Sequence, residues 1–126
     1  ARRRNLAVKD LLGFDQFWQE ELLADVANIG RLAAPTGIDF WVYPRGLLDG
    51  IPPLAVGRMA IECWCLYKAR ARNADLIDAT SAVISVHQDH DYSHHRQGHQ
   101  GIGTSVEAQR NRELVGGKPF FFTIRA

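Results

Sequence analysis

A chain of 126 residues, 46% hydrophobic and 23% charged, suffices for one domain with its own core, and that balance excludes a disordered or fibrous chain. With 15 basic residues against 14 acidic ones, the formal net charge of +1 gives no electrostatic case for a nucleic-acid partner. No stretch approaches the roughly 20 continuous apolar residues of a membrane span, and the first residues lack the charged, apolar and cleavage-site order of a signal peptide.

Arg2-Arg3-Arg4 is the only basic run, and it reads as a solvated end. Phe14, Phe17, Trp18, Leu22, Val26 and Ile29 follow the three-and-four spacing of one helical face, with Gly30 as the stop. After Pro35-Thr36-Gly37, the β-branched and aromatic run Ile38 to Tyr43 predicts a strand. Pro44-Arg45-Gly46 closes it, and Gly50-Ile51-Pro52-Pro53 is a stiff loop that cannot donate to a ladder at its prolines.

Helical spacing returns from Arg58 to Ala71, with Glu62 near the start and Lys68, Arg70 and Arg72 at the far end, as the helix dipole favours. Cys63 and Cys65 lie two apart, so on a helix they point about 200° apart. That spacing predicts two reduced packing residues, and a reduced chain in turn predicts a cytoplasmic protein. Asp75 to Thr80 and Ala82 to Val86 read as short strands that lead into the most unusual stretch of the chain.

That stretch is His87-Gln88-Asp89-His90-Asp91-Tyr92-Ser93-His94-His95-Arg96-Gln97-Gly98-His99, which holds all 5 histidines. Imidazole and carboxylate are ordinary ligands of divalent metals, and imidazole exchanges protons near neutral pH. Gly98, Gly101 and Gly103 argue that the segment is irregular. The spacing matches no Cys-x-x-Cys or His-Glu-x-x-His module. The residues alone leave three readings open: a solvated polar loop, a metal site or a proton-transfer site. Glu62, in the first turn of its helix, is a candidate general base or a plain dipole partner. Trp41 and Trp64 suit either stacking on a sugar or packing in a core.

Thr104-Ser105-Val106-Glu107 has capping-box spacing for a helix reaching about Val115, which Gly116-Gly117 ends. Phe120 to Ile124 is the last predicted strand. The whole reads as a single α/β domain, 1–126, with a small mixed sheet and about three helices.

Three stretches together carry a resemblance: Thr36 to Gly46, Ile51 to Trp64, and Ile77-Asp78-Ala79-Thr80 with the run His87 to His95. They resemble the C-terminal half of a bacterial glycosyltransferase-like family of the GT-A, family-2 type, the nucleotide-diphospho-sugar transferases. The resemblance spans about Gly30 to Gly117. It implies the acceptor half of a GT-A fold, without the N-terminal half that holds the nucleotide, and so no sugar-nucleotide turnover by this half alone.

Glu62-Cys63-Trp64 stands where the family commonly has Asp-Asn-Trp, which implies Glu62 as the base that deprotonates an acceptor hydroxyl. Met59 replaces the usual proline. The resemblance further implies His87, His90 and His94 at a divalent metal, Mn or Mg with Zn as an alternative, beside the leaving diphosphate. It implies Trp64, Asp39 and Arg58 as acceptor-binding residues, and a nucleotide-sugar or saccharide acceptor as the partner. The rival reading is a non-enzymatic divalent-metal-binding or protein-interaction module. A half-domain rich in exposed aromatics would also pair with its missing half or form a homodimer.

Overall fold

The computed structural model describes residues 1–93, Arg96 and residues 98–117, with Gln100 described by its backbone alone. Among these, the elements in chain order are β1 (Arg3–Leu6), α1 (Trp18–Ile29), β2 (Arg31–Leu32), α2 (Ile61–Ala71), β3 (Ser85–Gln88), α3 (Gly98–Thr104) and α4 (Val106–Leu114). The protein is therefore small and mixed α/β, with three strands and four helices among the described residues where about three helices were expected.

The sheet has the order β2-β1-β3. β1 pairs antiparallel with β2, Arg4 opposite Leu32, and parallel with β3, Asn5 opposite His87. The arginine run is thus not a solvated end but the start of the central strand. Local propensity does not explain this, since Arg and Asn are poor strand formers; pairing on both sides does. The alternation of a strand then sends Leu6, 2% exposed, into the core. Thr80 fastens the chain just ahead of β1: its hydroxyl accepts from the Arg2 backbone N–H at 2.9 Å and donates to Asp78 Oδ1 at 2.5 Å.

The predicted strand Ile38–Tyr43 does not form. Only Ile38 finds a partner, through an isolated antiparallel bridge to Arg2. Beyond it no described strand runs alongside, and β-branched and aromatic residues make a strand only where a ladder exists. Of the two strands expected between Asp75 and Val86, only β3 appears, shifted to Ser85–Gln88 so that it includes His87. The predicted last strand, Phe120–Ile124, lies outside the described residues.

α1 begins at Trp18 rather than Phe14, and Trp18, Leu22 and Val26 turn inward at a spacing of four, Val26 being fully buried. A Cβ on Gly30 would stand 2.4 Å from the Val26 carbonyl oxygen, so this helix passes into β2 only over a glycine. α2 carries the centre of the core, where Ala60, Trp64 and Cys65 pack with Val115. α4 starts one residue later than the capping-box reading: Ser105, not Thr104, is the cap, its hydroxyl accepting from the Ala108 N–H at 3.2 Å. The glycines of 98–104 do not prevent a helix; α3 forms there and is tied to α4 by Arg112, which donates to the Gly103 carbonyl oxygen at 2.6 Å. No helix among the described residues is long and apolar enough to cross a membrane.

Candidate functional site

In β1 and β3 the period of two puts Arg3, Asn5, Ser85 and His87 on one face of the sheet, since Arg3 stands opposite Ser85 and Asn5 opposite His87. Asp39 follows the bridging residue Ile38 and reaches this face. Its Oδ2 meets His87 Nδ1 at 2.8 Å, and its Oδ1 meets Arg3 Nη1 at 3.2 Å. Arg3 Nε in turn donates to Asn5 Oδ1 at 3.0 Å. A carboxylate shared with a guanidinium only accepts, so Nδ1 of His87 carries the proton and Nε2 is left to accept a proton or bind a metal.

Glu62, in the first turn of α2, feels the charges of Asp39 and Arg3. Burial pushes its carboxyl above the ordinary value of 4.5; a hydrogen bond from its own backbone N–H opposes the rise, the charge of Asp39 adds to it, and Arg3 offsets part. The turn that aims Glu62 is strained. Ala60, two residues before it, has φ 99° and is 1% exposed, a left-handed conformation for which a Cβ is unfavourable.

From His87 a row of rings leads away. His87 and His90 have centroids 5.7 Å apart, His90 and Tyr92 4.2 Å, and Tyr92 and His99 4.9 Å. Of the three histidines expected at a metal, the structure brings His87 and His90 together, while His94 lies outside the described residues. Among the described residues no three His, Cys, Asp or Glu side chains converge on a point that could hold a metal. Two imidazoles with one Nε2 free fit part of a ligand set, to which Asp39 contributes by orienting His87.

The other predicted residues separate. Trp64 is 6% exposed and lies in the core, its ring covered on one side by Lys68 Nζ at 5.6 Å, so it offers no open face to an acceptor. Its position fixes α2, and with it Glu62. Arg58 contacts its own loop, Nη1 donating to the Gly57 carbonyl oxygen at 3.1 Å, and its Nε is buried with no hydrogen-bond partner among the described residues. Cys63 and Cys65 are free and buried. Burial, then the Glu62 charge, raises both thiols, that of Cys65 to about 11, so neither is a nucleophile near neutral pH.

Arg3 and Asn5 were missed because a basic run at the start of the chain resembles a solvated end. Alternation was the available signal: Arg3 and Asn5 fall on one side of a short extended run, and Leu6 on the other. Asn111 was missed as well. It is 1% exposed, and its amide spans the proline loop: Oδ1 accepts from the Ala55 N–H at 2.8 Å, and Nδ2 donates to the carbonyl oxygens of Ala55 at 3.1 Å and Met59 at 3.0 Å. No protein-family model, curated protein or solved structure matches the chain.

Proposed function

We propose that this chain is the acceptor-side half of a nucleotide-sugar-dependent transferase, with Glu62 as the general base. The reading rests on the cluster in which Asp39 joins His87 and Arg3, with Glu62, in the first turn of α2, feeling the charges of Asp39 and Arg3. A desolvated carboxylate with a raised pKa is a stronger base than a solvated one. In the reaction, the acceptor hydroxyl gives its proton to Glu62 as its oxygen attacks the anomeric carbon, and the bond from that carbon to the diphosphate oxygen breaks. Asp39 and Arg3 hold His87 with Nε2 free, on the side assigned to the diphosphate. A divalent ion at His87 and His90 would neutralise the charge that develops on the leaving group. Turnover belongs to the pair of halves, because the nucleotide-holding part supplies the donor.

The reading is tested by calorimetric titration of the metal-stripped protein with Mn²⁺, with and without UDP or GDP. Metal and nucleotide are expected to tighten each other at least fivefold, a coupling of about 1 kcal/mol, and His87→Ala is expected to abolish it. Zn²⁺ binding that is indifferent to nucleotide would instead support a non-enzymatic metal-binding module.

A further inference from the structure

From residue 10 to residue 30 the chain carries no basic side chain: Asp10, Asp15, Glu20, Glu21 and Asp25 are its only charged side chains, although the formal net charge of the whole chain is +1. Apolar side chains stand in the open among these carboxylates. α1 packs against β1 and buries Val26, yet Phe17, Leu23, Ala24 and Ala27, which lie outside the stripe of Trp18, Leu22 and Val26, are all exposed, Phe17 by 53% and Leu23 by 47%. A surface helix needs one apolar stripe; this one has a second. Just ahead of it, Phe14 is held at φ 50°, a left-handed conformation unfavourable for a phenylalanine, with its ring 70% exposed and edge-on to Trp18 at 5.1 Å.

Charge decides what fits this surface. A second copy would set carboxylates against carboxylates, and an anionic lipid or nucleic-acid surface would do the same. A partner with both apolar and cationic side chains meets the two requirements together. We infer that the outer face of α1, with Phe14 and Phe17, is a docking surface for a cationic amphipathic helix of another protein. The partner's apolar stripe lies on Leu23, Ala24 and Ala27, where the two alanines let the backbones come close, and its Lys or Arg side chains meet Glu20, Glu21 and Asp25. This surface is independent of the transferase reading, since none of its residues belongs to the candidate site.

The test titrates ¹⁵N-labelled protein with a peptide of two Leu-Lys-Lys-Leu-Leu-Lys-Leu repeats, which forms a cationic amphipathic helix. A scrambled peptide of the same composition and the Leu-Glu-Glu-Leu-Leu-Glu-Leu counterpart are the controls. Amide shifts are expected at Phe14, Phe17 and residues 20–27, with the basic peptide binding about tenfold more tightly than the scrambled one and the acidic peptide causing no shift. Leu23→Asp is expected to leave Tm unchanged, as the side chain is exposed, and to weaken the basic peptide about tenfold. Glu20→Lys with Glu21→Lys is expected to reverse the preference in favour of the acidic peptide. No binding of the basic peptide, equal binding of the scrambled one, or shifts centred on other residues would overturn the inference. So would a dimer in sedimentation that Leu23→Asp disperses, because a second copy would then own the face. Peptide binding that appears only after residues 118–126 are removed would overturn it too, because the chain's own end, with Lys118 and Arg125, would then be the occupant.

Discussion

At the scale of the residue, Glu62 places stability and function in opposition. Its carboxyl is held above 4.5 in the folded protein chiefly by burial, so the folded state keeps this proton where the unfolded state has released it. The stability that follows is fully present below about 4.5 and is lost as pH rises through the raised folded value. Glutamine keeps the shape and has no proton to lose. Glu62→Gln is therefore expected to melt higher than the parent at pH 7, with the difference closing as pH falls through the raised folded value toward 4.5. Thermal melts of both proteins between pH 4 and 8 check this; a variant less stable at pH 7 would mean that Glu62 is held by an ionic contact instead. As the proposed base, Glu62 accepts that penalty because desolvation is also what strengthens it.

At the scale of the element, the turn that delivers Glu62 is held by a part of the chain distant in sequence. α4 contributes Asn111, whose three hydrogen bonds to Ala55 and Met59 clamp the loop that ends at the strained Ala60. Asn111→Ala leaves these backbone groups without partners and is expected to cost about 2–4 kcal/mol, readable in urea unfolding. An unchanged midpoint would show that solvent already reaches the loop. Three helices were legible because each carries its own signal: the spacing of Trp18, Leu22 and Val26 in α1, the acidic start and basic end of α2, and the cap and Gly116-Gly117 stop of α4; α3 was not, because its glycines read as an irregular segment. The strands were not, because β1 and segment 38–43 are decided by their neighbours. Arg3–Leu6 is a strand because two partners flank it, and Ile38–Tyr43 is not one because, among the described residues, it finds only the single bridge from Ile38 to Arg2. Candidate site residues followed the same division. Asp39, Glu62 and His87 could be named from residue type and resemblance, but Arg3, which shares the Asp39 carboxylate, depends on a pairing that composition does not announce.

At the scale of the whole molecule, the site exists only through the fold. Residues 3, 39 and 87 come from a central strand, the residue after a bridge and a second strand, and long-range packing alone brings them into contact, while Glu62, in the first turn of a helix, feels the charges of residues 3 and 39. Exposed apolar residues, Phe40, Val42 and Ile77 among them, line an open groove along α2 in the described fold. The convergence itself is most directly measured by ¹³C NMR titration of the Glu62 carboxyl in the parent and in Asp39→Asn. Glu62 is predicted to titrate above 4.5 in the parent and lower in the variant, because removing the Asp39 charge removes a cause of the rise and leaves Arg3 to favour the ionised form. A Glu62 that titrates at 4.5 and ignores the substitution would show that the two carboxylates do not share a site.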